Sequence, residues 1–304
     1  SNSSCTKDVK ELAASNEAIQ NLIQRNVIIE FAPFEGENSL KHQKKLITLL
    51  NTFYARIISS VDALKVFLEY IEAKFDEMSK TSPPYVDAMK VFTTFSEIRG
   101  ILHGCVPIPH FVYVARWYLN NYVETACQCI TTHCAEPDIC RAILQSWGCI
   151  AANKGLKLVF PPSSCDGIRV FKASLNFVQV ILGNVHDEEI QKSVLKLINS
   201  SFTQTYCNFG VMKFFGDNAP DAMIRTFFEL LAHNQKEDIC EKYMIAAVSS
   251  ITSIVNVFGA SVLPIDLYRE VAFDYLRYNI DMISHIDTWK ACCKALTAVL
   301  VCAS

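Results

Sequence analysis

Residues 46–75 read LITLLNTFYARIISSVDALKVFLEYIEAKF, and their spacing decides the fold class. Leu46, Leu50, Phe53, Ile57, Val61, Leu64, Leu68, Ile71 and Phe75 follow one another at steps of three and four. Such steps hold one apolar stripe on one face of an α-helix. Ser59 and Ser60 interrupt the stretch. A serine oxygen accepts from the exposed N–H groups of a first helical turn, so the stretch reads as two helices with a cap between them.

The same periodicity recurs along the 304 residues. Pro83-Pro84 precedes a helix from Tyr85 to His103, and Pro107 and Pro109 precede one from His110 to Cys134. Pro137 opens a helix to Asn153, where a first turn tolerates a missing N–H. A loop with a short extended piece, Leu156 to Phe160, leads to Asp166, which caps a helix ending at Leu182 with Gly183 as its stop. Asp187-Glu188-Glu189 opens the next, its carboxylates favoured by the helix dipole, with stripe Ile190, Val194, Leu197 and Phe202. Asn208 to Asp217 reads as a loop. Helices follow over 219–233 and 238–258, from Pro264, and over 284–302 with stripe Ile286, Trp289, Cys293, Leu296 and Leu300.

Helix starts thus step by about 25 residues and helix pairs by about 49, near the 40–47 of HEAT and armadillo repeats. Glycine and proline number only 10 each, whereas turn-rich β architectures need more of both. The chain therefore reads as all-α, an α-solenoid of antiparallel helix pairs in a HEAT/armadillo-like superhelix. Each pair covers its apolar face with the next. Residues 39–304 hold about five such pairs. Residues 1–38 form an N-terminal helical segment that the repeat count does not assign. A globular helical bundle is the competing architecture. The opening Ser-Asn-Ser-Ser, without methionine, reads as a cut from a longer protein.

A hydrophobic fraction of 51% and a charged fraction of 19% exclude a wholly disordered chain. The net charge of −3 argues against direct nucleic-acid binding, which draws on a basic excess. Lys41-His42-Gln43-Lys44-Lys45 is the one basic run, and it reads as a solvated helix face. No apolar run approaches the length of a membrane span. The 13 cysteines have no framework spacing and read as free thiols of a reducing compartment.

Chemistry is hard to find in the pattern. Cys127, Cys129, His133, Cys134 and Cys140 are the right residue types for zinc. A step of two turns a helix by about 200°, so Cys127 and Cys129 point apart. They read as buried thiols, as do Cys292 and Cys293. Trp147-Gly148-Cys149 has a faint look of a cysteine-protease turn, but no histidine is placed as its base. Gly104, Gly148, Gly155, Gly167 and Gly183 are isolated and build no phosphate loop. The expectation is a protein that is not an enzyme, with no catalytic, cofactor-binding or metal residues, working through a protein-binding surface.

Three stretches carry a resemblance. The first is Phe95-Ser96-Glu97-Ile98-Arg99-Gly100-Ile101 with Phe111 to Tyr122. The second runs from Leu156-Lys157-Leu158-Val159-Phe160 through Ser163-Ser164 to Gly167-Ile168-Arg169-Val170-Phe171-Lys172. The third is Asn208-Phe209-Gly210-Val211-Met212-Lys213-Phe214-Phe215-Gly216-Asp217-Asn218-Ala219, leading into Thr226 to Leu231. In this order they resemble the C-terminal part of the exportin-7 and exportin-4 branch of the karyopherin-β family, over roughly Leu40 to Ser304. The resemblance implies a HEAT-repeat superhelix that shuttles between cytoplasm and nucleus as a nuclear transport receptor. Its implied partners are the Ran GTPase in its GTP form (mainly through regions outside this chain), protein cargo and nuclear pore proteins. Direct nucleic-acid contact and a membrane are not among them. Cys165-Asp166-Gly167 and Pro220 depart from the family pattern, so a cargo does not carry over. A helical scaffold or adaptor without Ran dependence is the alternative.

Overall fold

The structure, a computed structural model, describes residues 39–58, 60–153, 165–187, 189–191, 193–194 and 286–303, with 21, 24 and 25. The chain divides into two compact units, Ser1–Ile150 and Ala151–Ser304. Among the described residues every regular element is an α-helix. The first unit carries α1 (Ser39–Ile57), α2 (Val61–Ser79), α3 (Ala88–Gly104), α4 (Ile108–Asn121), α5 (Val123–Thr132) and α6 (Pro137–Ala151). The second carries α7 (Cys165–Asn184) and α8 (Ile286–Ala303).

The boundary at Ser59-Ser60 falls where the sequence puts it. The Ser60 side chain accepts from the Ala63 N–H at 3.2 Å and starts α2. Asp87 does the same for α3, accepting from Lys90 N–H at 3.1 Å. Pro107 and Pro109 open α4, and Pro137 opens α6, where their missing N–H groups cost nothing. Beyond α7, Asp187 Oδ1 accepts from the Ile190 N–H at 2.9 Å, and Ile190 and Val194 are buried as the spacing predicts.

The helices α1 and α3 lie alongside each other in parallel. Thr48 on α1 donates to the carbonyl of Ser96 on α3 at 3.4 Å, and Thr52 donates to Gly100 at 3.1 Å. Both separations are 48 residues, so the two helices run in the same direction in one register. A separation of 45 joins α2 to α4, where Trp117 Nε1 donates to Glu72 at 2.7 Å. One of 46 joins α3 to α6 through Arg99 and Gln145, also at 2.7 Å. Between α2 and α3 the pairing is antiparallel. Glu97 lies beside Lys74 and Tyr70, and Lys90 beside Glu77.

The core of the first unit is an aromatic chain. Phe75 meets Phe95 edge-on and stacks on Tyr122, which lies against Trp117. Phe95 continues to Tyr118, and Tyr118 to Trp147. Phe95, Tyr118 and Trp147 are fully buried, and the Tyr118 hydroxyl is 3.3 Å from Ser146 Oγ. Offset and edge-to-face rings add attraction beyond their buried area.

Four local expectations are corrected. The helix expected over His110–Cys134 is two helices, α4 and α5, meeting at Tyr122 with φ −126° and ψ 4°. No glycine or proline marks this break. At the break Tyr122 stacks on Phe75, with ring centroids 4.3 Å apart. Next, α1 is turned by one residue from its expected stripe, a rotation of about 100°. Gln43, Ile47, Asn51, Ala55 and Ile58 are buried, while Leu46 and Phe53 are 45% and 57% exposed. The cause is the glycine pair on α3. A Cβ on Gly100 would stand 2.6 Å from Asn51 Cβ, and one on Gly104 would stand 2.5 Å from Ala55 Cβ. Contact that close selects the small-residue face of α1, not its most apolar one. In α8, Cys292 and Ala295 are buried and Ile286, Trp289 and Leu300 exposed, again one residue off the expected stripe. Last, α7 starts at Cys165, so Asp166 lies inside its first turn and is not its cap, and Gly183 lies within the helix, which continues to Asn184.

Apart from residues 21, 24 and 25, the N-terminal segment 1–38 lies outside the described residues, as do the helices expected over 219–233, 238–258 and from Pro264. So do the extended piece 156–160, the positions Leu197 and Phe202, and the third resembling stretch. Among the described residues no helix is long and apolar enough to cross a membrane.

Candidate functional site

The cysteine and histidine cluster does structural work. Cys129 is buried and Cys127 half-buried on α5, and Cys140 on α6 donates its thiol to the His133 carbonyl at 3.3 Å. Both His133 ring nitrogens are engaged, Nδ1 with Glu136 Oε1 at 2.7 Å and Nε2 with the Tyr85 carbonyl at 2.8 Å. Among the described residues no three metal-ligating side chains gather. Burial pushes the thiols of Cys105 and Cys129 up to about 12, and burial with nearby Glu124 does the same to Cys127. Cys149 is pushed up to about 11 by burial, partly offset by Arg99. A nucleophilic cysteine needs the opposite shift, toward thiolate.

The first resembling stretch is explained residue by residue on α3. Phe95 sits in the aromatic chain. Glu97 is fully buried and paired with Lys74 at 3.0 and 3.2 Å, and it also accepts from the Tyr70 hydroxyl at 3.3 Å. Gly100 admits α1. Arg99 points elsewhere, into a groove of about 750 Å³ lined by α1, α3 and α6.

This groove is the most distinctive surface of the first unit. Lys41, Lys44, Lys45 and Arg56 come from α1, Arg99 from α3 and Arg141 from α6. One carboxylate, Asp138, faces these six cations, and it is already held by Arg141 at 2.8 Å. Arg99 donates Nη1–H to Gln145, and its Nε is buried with no hydrogen-bond partner. The crowding registers on its members. Burial, then the charges of Arg99 and Arg141, hold the Lys44 ammonium below the ordinary lysine range. Burial, then Arg99 and Arg56, push His103 below the ordinary histidine range. Like charges gathered in a concave, partly desolvated site focus potential outward and attract anions.

The reading of Lys41–Lys45 as a solvated face holds for Lys41, His42 and Lys45 and is corrected at Gln43 and Lys44. Gln43 is buried, Lys44 half-buried, and Lys41 and Lys45 stand exposed beside the groove. Arg56, Arg99 and Arg141 went unnoticed as site residues because they are remote in sequence. Their signal was the helix-pair period: each stands roughly one period from the next, and helices one period apart lie side by side.

Comparison with known proteins finds similarity to proteins named as exportins and as a Ran-binding protein. The chain is 26% identical over 153 residues to Exportin-7 of Dictyostelium discoideum, covering 46% of this chain and 15% of that protein. Exportin-7-B of Xenopus laevis is 23% identical over 158 residues, 48% of this chain and 14% of its own length. The human Ran-binding protein 17 is 24% identical over 158 residues, with the same coverage. These similarities support an exportin family relationship at modest identity. The matches span about one seventh of the length of these relatives. No family model and no solved structure matches the chain.

Proposed function

We propose that this chain is a HEAT-type helical array from an exportin-like nuclear transport receptor. It works through protein–protein contact in Ran-dependent transport, is not an enzyme and shuttles between nucleus and cytoplasm. The observation that carries the reading is similarity to Exportin-7 and Ran-binding protein 17, the second of which is named for Ran. The register of the first unit agrees with it. Helices joined at separations of 45, 46 and 48 residues are what stacked helix pairs of this repeat length produce. A superhelix continuing through residue 304 in about five pairs is the natural extension of that stacking.

Photobleaching tests the shuttling. With the full-length protein fluorescently tagged in its own cells, repeated bleaching of the cytoplasm drains the nuclear signal within minutes. A nuclear pool that persists unchanged under that bleaching rejects the proposal.

A further inference from the structure

We infer that the cationic groove between α1, α3 and α6 is a docking site for an acidic protein segment, an extended run rich in aspartate and glutamate. The inference does not depend on Ran and goes beyond the transport reading.

Charge complementarity is the first ground. Six cations face one carboxylate, on a chain whose net charge is −3, so the groove stands against the electrostatic trend of its own protein. Holding like charges together is unfavourable, and a bound anion relieves it. Asp138, the one carboxylate, is held by Arg141 at 2.8 Å and also acts on Lys44, which leaves six cations sharing a single countercharge. Arg99 adds a second ground: it lines the groove, and Gln145 fixes its guanidinium by Nη1 at 2.7 Å. A guanidinium held in this way is preorganised for a carboxylate.

Shape and lining select among anions. Along α1 the lining extends from Lys41 to Arg56, about 22 Å at 1.5 Å per residue. That length is too great for one small anion and suits about seven extended residues at about 3.3 Å each. Single-stranded nucleic acid is held by aromatic platforms on which bases stack. The groove lining contains no phenylalanine, tyrosine or tryptophan. Leu49, 54% exposed, joins the groove to Leu46 and Phe53, a rim that an acidic peptide's apolar side chain can touch.

The test uses the full chain and a fluorescein-labelled dodecapeptide of alternating glutamate and aspartate, read by anisotropy. A neutral glutamine–asparagine peptide and a single-stranded oligonucleotide of equal charge serve for comparison. Saturable binding of the acidic peptide is expected, weakening as salt rises. The exposed double variant Lys41→Glu/Lys45→Glu should weaken it about tenfold or more. Lys65→Glu/Lys80→Glu, equal in charge change but outside the groove, should have little effect. Circular dichroism of each variant confirms that the helices persist. Absence of saturable binding overturns the inference. So does equal weakening by the two double variants, and so does tighter binding of the oligonucleotide, which would give the groove to nucleic acid.

Discussion

His133 donates Nε2–H to the carbonyl oxygen of Tyr85 at 2.8 Å, and this one bond ties the end of α5 to the loop between α2 and α3. Tyr85 is an unusual acceptor. Its φ is +59°, in the left-handed region that a bulky residue seldom occupies. Its N–H bonds the Met78 carbonyl at 2.9 Å, so the strained residue is held from both sides. The separation is again 48 residues, the same as between α1 and α3. The period that stacks the helices also stacks what lies between them.

Replacing His133 by alanine should therefore cost about 1–3 kcal/mol, because a buried carbonyl loses its donor. Urea unfolding of the wild type and His133→Ala measures this. A loss indistinguishable from that of an exposed control, His186→Ala, would remove the tie.

The glycines of α3 and α7 should respond with opposite signs. Gly100→Ala and Gly104→Ala force α1 away and should each destabilise by about 1–3 kcal/mol. Gly183 is helical, with nothing within 4 Å of an added Cβ, so Gly183→Ala should stabilise by about 0.4–1 kcal/mol. Thermal melts of the three variants decide it. Equal stability at Gly100 and Gly183 would contradict the close approach of α1.

The buried pair of Lys74 and Glu97 should be costly to halve. Glu97→Ala leaves an ammonium without its carboxylate and should destabilise by about 3–5 kcal/mol. The double variant Lys74→Met/Glu97→Leu should recover most of the loss, since apolar groups of similar size replace a buried pair at little net cost. A double variant as unstable as Glu97→Ala would refute this account of the pair.

The groove carries a pH signature. His103 on α3 is held below its usual range by burial and by Arg99 and Arg56, with Lys41, Lys44 and Lys45 on α1 and Asp138 and Arg141 on α6 lining the same groove. As pH falls through about 6.5, the unfolded chain binds a proton that the folded chain resists. The His103 contribution to stability is thus intact above that pH and is lost below it, down to the folded value. Between pH 7.5 and 5.5 the urea midpoint should fall less in His103→Gln than in the wild type. Identical falls would show that the crowding is not felt there.

The fold class was legible because it depends on repetition. The steps of three and four in residues 46–75, the serine cap and the proline starts each state a local preference, and the structure agrees with them at Ser60, Pro107 and Pro137. What stayed hidden is set by tertiary contact. Hydropathy marks Leu46 and Phe53 as the inner face of α1, but the glycines on α3, half a hundred residues on, choose Asn51 and Ala55 instead. The break at Tyr122 carries no glycine or proline, and what distinguishes the residue is a tertiary contact, its stacking on Phe75 of α2. The groove was visible only as one basic run, since Arg56 stands about three turns further along the same helix and Arg99 and Arg141 each arrive about one helix pair later.

The most direct measurement of the central claim uses an antibody raised against this chain. Lysate from cells that make the protein is passed over beads carrying Ran loaded with GTP or with GDP, and the eluates are blotted. Retention by Ran-GTP alone is the predicted result for an exportin-like receptor. Equal retention on both, or on neither, would contradict it and leave a helical scaffold that works without Ran.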